Sequence, residues 1–135
     1  MFKFSKRSLT NLSNCEEVLQ KLANKALENS PKDFTIICGH RNKKDQDAAF
    51  ARGDSQLKFP RSKHNTLPSQ AFDFVPYPLD WHDIDSFKKI GHHILDTWDD
   101  MEESADWEIE YGGNWRKFKD YPHIQITKRK NNEEK

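Results

Sequence analysis

A carboxylate interrupts an apolar, aromatic run at Ala71-Phe72-Asp73-Phe74-Val75. In an extended strand Asp73 shares a face with Ala71 and Val75, while Phe72 and Phe74 point the other way. A buried, unpaired carboxylate costs on the order of several kcal/mol, so Asp73 requires an edge position, an Arg or Lys partner, or a metal ion. His123 follows Pro122 and opens a second alternating run, His123-Ile124-Gln125-Ile126. In Asp120-Tyr121-Pro122-His123 a carboxylate can lie near a metal-bound imidazole and take a proton from a water held there. His64, in Ser62-Lys63-His64, supplies an imidazole upstream of Asp73. Two histidines and one carboxylate with an open fourth position form a ligand set used by catalytic zinc. Imidazole and carboxylate suit Zn²⁺ without thiolate, so Cys15 and Cys38 are expected to stay outside such a site. Spacing by itself leaves structural roles open for all three, because many proteins contain two histidines and an aspartate.

The remaining histidines have simpler readings. His92 and His93 are adjacent, so a helix points them to different sides and they do not share a metal. His82 precedes Asp83 and Asp85 at a helix start, where carboxylates serve capping and the helix dipole. His40, before Arg41, is ambiguous. Trp107, Tyr111, Trp115, Phe118 and Tyr121 are read mostly as core, with a groove lining as the alternative. Gly112-Gly113 reads as a turn without the strand–helix context of phosphate binding.

These side chains need a scaffold. Leu12, Cys15, Val18, Leu19, Leu22, Ala26 and Leu27 recur at three- and four-residue spacing, which predicts one helix from Leu12 to Asn29, ended near Pro31. Phe34 to Cys38 is β-branched and followed by Gly39, a strand. Lys44 to Arg52 is a short helix closed by Gly53, and Asp54 to Pro60 is a loop. Ala71 to Val75 is a strand halted by Pro76 and Pro78. Ile84, Phe87, Ile90, Ile94, Leu95 and Trp98 mark one face of a helix from Asp83 to Met101. Trp107 to Tyr111 and His123 to Ile126 alternate as strands. The expected fold is α+β, two main helices packed on a small, mainly antiparallel sheet.

Composition narrows the function classes. The chain has 135 residues with 22 Lys+Arg and 22 Asp+Glu, a formal net charge of zero. One domain is the expectation, running over residues 1–127, with Lys128 to Lys135 a charged, solvated tail. Balanced charge argues against a nucleic-acid binder and against electrostatic anchoring to a membrane, and no run approaches the roughly 20 apolar residues of a membrane helix. The 9 Phe, 4 Trp and 3 Tyr can build a core in so polar a chain. Two cysteines without CxxC spacing read as reduced, buried thiols. The basic N-terminus lacks the apolar run of a secretory signal, which predicts synthesis and folding in a cytoplasm.

Taken in order, Ser62-Lys63-His64, Ala71-Phe72-Asp73-Phe74, Gly112-Gly113-Asn114-Trp115 and Asp120-Tyr121-Pro122-His123 resemble the zinc peptidases of the D-alanyl-D-alanine carboxypeptidase type. The resemblance is strongest to the phage endolysins that are L-alanyl-D-glutamate endopeptidases. It extends upstream through Phe4-Ser5-Lys6-Arg7-Ser8-Leu9 and through Gly39-His40-Arg41 with Gln46, and covers about residues 4 to 126. It implies a small α+β fold with one catalytic Zn²⁺ bound by His64, Asp73 and His123. It makes Asp120 the general base and places Arg41 where it polarises or anchors the scissile carbonyl. Ser62 and Gln46 match positions near the substrate groove.

Three departures stand out. The link from His64 to Asp73 is longer than is usual in the family and lacks its glycine; His40 replaces a common aromatic; Gln125 replaces a common Glu, which bears on hydrogen bonding around the metal. The implied substrate is the peptidoglycan stem peptide, cut between L-alanine and D-glutamate by a monomer. A lysin of this kind is made in the host cytoplasm and reaches the wall after the membrane is permeabilised. A D-alanyl-D-alanine carboxypeptidase would use the same zinc site with a different groove. A wall-binding module without activity has no need of Arg41 or Asp120.

Overall fold

The computed structural model describes residues 2–130. Helix α1 (Lys6–Ser13) leads into α2 (Glu17–Glu28), β1 (Phe34–Cys38), α3 (Lys43–Arg52), β2 (Ala71–Pro76), α4 (Ile84–Asp99), β3 (Trp107–Tyr111) and β4 (His123–Lys128). Short 3-10 turns cover Lys63–Asn65, Glu102–Ala105 and Gly112–Asn114. The four strands form one sheet in the order β1-β2-β4-β3, and every pairing is antiparallel. The α+β expectation holds.

Alternation along the strands sorts the two sheet faces. Phe72, Phe74, Ile124 and Ile126 are wholly buried in a core with Leu19, Leu22 and Ala26 of α2 and Ile90, Ile94 and Trp98 of α4. The intervening residues Asp73, His123 and Gln125 belong to the opposite face. Register then aligns the site: Asp73 on β2 lies opposite Cys38 on β1 and His123 on β4. Asp73 therefore stands in an interior strand, where its charge needs partners instead of solvent.

The single helix expected from Leu12 to Asn29 is two helices. Asn14 caps α1, and the chain bends at Cys15, which bridges to Ser69. Ser69 donates its N–H to Asn14 O and accepts from Glu16 N–H, so the break exchanges helical bonds for contacts with the loop that carries His64. The apolar spacing survives the bend, which is why the periodicity did not reveal it. Helix α1 seals the free edge of β1: Ser8 Oγ accepts from Ile36 N–H at 3.1 Å and Asn11 Nδ2 donates to Ile36 O at 2.8 Å. Strand β2 extends one residue further than expected, with Pro76 opposite Phe34. Lys128 closes β4 opposite Trp107 and so is not tail; 131–135 of the expected tail lie outside the described residues.

The aromatic cluster also divides. Tyr111 is buried at 2% exposure, Trp107, Trp115 and Tyr121 are half-buried, and Phe118 is exposed. The Tyr111 ring lies where a Cβ on Gly91 would meet its Cζ at 2.3 Å, and its hydroxyl donates to Phe87 O at 3.1 Å. Gly91→Ala must push α4 off β3. The expected loss is about 1–3 kcal/mol, the range for overpacking a core, read as a fall in the urea midpoint at unchanged slope.

Candidate active site

A cleft of about 1010 Å³ opens over the face of the sheet that carries Asp73, and Arg41, His64, Asp120 and His123 line it. His64 comes from the 3-10 turn Lys63–Asn65. Ser62 caps that turn, accepting from His64 N–H through Oγ, while Asn65 Oδ1 accepts from Ser62 N–H. Asn65 also donates through Nδ2 to Arg41 O at 3.0 Å and to Gln46 Oε1 at 3.2 Å. Asn65 was not singled out from the sequence; the Ser62-x-x-Asn65 capping spacing was its one visible signal.

The imidazole orientations follow from their outer partners. His64 Nδ1 lies 2.7 Å from Gly39 O. A carbonyl only accepts, so Nδ1 carries the proton and Nε2 turns its lone pair toward Asp73 Oδ1, 3.2 Å away. His123 Nε2 lies 2.9 Å from Gln125 Oε1, and Gln125 Nε2 donates to Glu110 Oε2 at 3.0 Å. The amide orientation makes Gln125 an acceptor toward His123. His123 Nδ1 then turns its lone pair to the same Asp73 Oδ1 at 3.1 Å. Gln125, in place of a glutamate, still fixes the ring.

Two lone pairs and a carboxylate oxygen in contact repel unless a proton or a metal cation lies among them. Without a metal, protons take that role. Burial opposes charge on His64, but Asp73 and hydrogen bonding push its pKa up to about 10. Burial likewise opposes the Asp73 carboxylate, yet His64 and His123 hold it well below the usual carboxylate range. The donor chemistry and the spacing both fit a cation. Ligands of a tetrahedral ion with bonds of roughly 2.0–2.1 Å lie about 3.3 Å apart, close to the two distances observed here.

Cys38 corrects the expectation for the thiols. Both cysteines are free, but Cys38 is half-buried and brings Sγ into a cluster with His64 and Asp73, one donor atom from each within 4.8 Å of the others. This cluster could hold a metal ion. The sulfur lies 3.8 Å from His64 Nδ1, the nitrogen already committed to Gly39 O. Cys15 stays outside the site, and burial pushes its thiol up to about 12.

Arg41 enters beside this cluster. Its Nη2 is 3.5 Å from Asp73 Oδ2, and Nη1 donates to Gln46 Oε1 at 3.0 Å. Gln46 is fully buried and donates through Nε2 to Ser55 Oγ and Leu57 O. It faces the guanidinium and the adjoining loop, and its link to the groove runs through Arg41. Asp120 Oδ2 stands 4.0 Å from His123 Nδ1, with 41% of the side chain exposed. Partial burial and the charge of Asp73 raise its pKa above the ordinary carboxylate value. Gly112 makes this placement possible, since a Cβ there would meet Asp120 O at 2.4 Å and His123 Cβ at 3.1 Å. Gly112 is a close-approach position as well as a turn residue, which the sequence reading missed. His92 and His93 are structural as expected, held by Asn114 and Ala26 O.

The fold and cleft define an α+β domain in which two imidazoles, a carboxylate, a second acid and a guanidinium meet. The chain belongs to the phage L-alanyl-D-glutamate peptidase family, whose profile matches residues 1–131. It is 36% identical over 131 residues to the L-alanyl-D-glutamate peptidase of Escherichia phage T5, covering 94% of this chain and 90% of that protein. The crystal structure of the Serratia marcescens L-Ala D-Glu endopeptidase ChiX superposes with a TM-score of 0.76 at 29% identity, over 93% of this chain and 90% of that one.

Proposed function

We propose that this protein is a zinc-dependent peptidoglycan endopeptidase that hydrolyses the L-alanyl–D-glutamate bond of the stem peptide. The observation that carries the metal reading is the convergence of His64 Nε2 and His123 Nδ1 on Asp73 Oδ1. His64, Asp73 and His123 would hold Zn²⁺. Cys38 is left out because its sulfur faces the nitrogen of His64 that donates to Gly39. Bound there, Zn²⁺ supplies Lewis acidity to the attacking water and to the scissile carbonyl.

The chain's own residues do the rest. Asp120 is exposed enough to meet water and close enough to His123 to receive a proton at the site of attack; it then returns that proton to the leaving amine. The guanidinium of Arg41, steadied by Gln46, faces the charge that develops on the carbonyl oxygen. Ser62 keeps His64 in place through its turn.

The catalytic unit runs to the end of β4 at Lys128 and acts as a monomer. No helix among the described residues is long and apolar enough to cross a membrane. The enzyme is made in the host cytoplasm and meets the wall after the membrane is permeabilised. Digestion of purified peptidoglycan, followed by mass spectrometry of the new termini, tests the assignment. New D-glutamate amino termini are the expected product. Release of D-alanine alone would transfer the same site to a carboxypeptidase.

A further inference from the structure

The cleft carries an aromatic ring that the chemistry above does not use. Phe118 lies two residues before Asp120, lines the cleft, and is 69% exposed. It is also the one non-glycine residue with positive φ, +53°, among the described residues. Solvent exposure gives a phenylalanine nothing in folding, and left-handed backbone is unfavourable for a bulky side chain. Such combinations persist where the residue meets something outside the fold. The loop does not depend on the ring for its shape. Trp115 and Asp120 both donate N–H to Gly112 O, at 3.2 and 3.0 Å, and Lys119 Nζ donates to Trp115 O at 2.8 Å.

We propose that Phe118 is a specificity-determining residue that receives the muramoyl sugar to which the L-alanine of the stem is attached. The proposal rests on the peptidase reading above. Around the scissile bond the stem offers a methyl group and a carboxylate, neither of which calls for a flat apolar surface of this size. The neighbouring pyranose has a C–H face of the right size and shape for a phenyl ring. Phe118 thus measures the glycan side of the substrate, while Asp120 and Arg41 act on the bond.

The test compares steady-state kinetics on a muramoyl-tetrapeptide and on the same tetrapeptide without sugar. Phe118→Ala is expected to raise KM for the muramoyl substrate about tenfold with kcat little changed, as for loss of one aromatic contact, and to leave the sugar-free peptide unaffected. Phe118→Tyr restores KM. Phe118→Gly relieves the backbone, raising Tm by about 3 °C, yet shows the same KM defect. Equal effects on both substrates, no effect on either, or a fall in Tm and kcat for Phe118→Gly would overturn the proposal. Wild-type protein that cuts neither substrate, while folded and metal-loaded, overturns the peptidase reading and this proposal with it. Wild-type hydrolysis with a Phe118 variant that does not distinguish the substrates overturns only the latter.

Discussion

Asp120→Ala is expected to lower kcat on the stem peptide by about 10²–10⁴-fold, the contribution of a positioned general acid–base group, while the protein keeps its metal. The reasoning is geometric. Asp120 Oδ2 lies 4.0 Å from His123 Nδ1, and its side chain is 41% exposed to the cleft. Its removal leaves the contacts of His64 and His123 with Asp73 intact. Asp120→Asn keeps the shape and removes the basicity, so it should behave like Asp120→Ala. Metal content by elemental analysis separates this from His123→Ala, which takes away a ligand and loses both metal and turnover. An Asp120→Ala protein that works at the wild-type rate would show that the base lies elsewhere.

Metal removal should have the second large effect, and pH should modulate it. A metal at about a thousand times its Kd stabilises the folded state by roughly 4 kcal/mol, which for a domain of this size corresponds to a Tm shift on the order of 10–15 °C. In the stripped protein, protons take over. His64 is raised from 6.5 to about 10, so its contribution is complete below about pH 6.5 and vanishes as pH rises through about 10. Asp73 is depressed, so its contribution is present above its ordinary 3.8 and is lost as pH falls toward its lowered value. The stripped protein is thus best supported between about pH 4 and 6.5 and weakens on the alkaline side. A metal ion needs the deprotonated imidazole, so its stabilisation grows as pH rises from about 6.5 toward 10. Thermal melts with and without chelator should show a gap that widens from about pH 6 to about pH 9. A gap that narrows would contradict a site in which metal and proton compete for His64.

Much of this site was legible in the chain because strand alternation leaves a mark. Asp73 between Phe72 and Phe74, and His123 before Ile124, announce polar groups on one face of a sheet whose other face is core. The strands and α3 followed from the same patterns. The break at Cys15 was not legible, because the apolar spacing continues through it and the contact that bends the chain comes from Ser69, far away in sequence. Cys38 was misplaced for a related reason. Residue type argued against thiolate, but register set Cys38 opposite Asp73. The roles of Gln125, Asn65 and Gly112 depend on tertiary contacts that no local pattern encodes. Phe118 was counted with an aromatic cluster, and only its backbone and exposure separate it from Tyr111.

The strand order β1-β2-β4-β3 has a consequence for how the protein is born. Strand β4, the last of the four described strands in chain order, does not add to the rim of a finished sheet; it slides between two strands that precede it. It brings His123 and joins β3 to the rest in the same event. Closure is a long-range step, so it belongs late in folding. A chain that stops before β4 has a divided sheet and lacks His123 beside Asp73. The groups of the proposed site therefore come together in a single step, and a chain cut before β4 is expected to be inert.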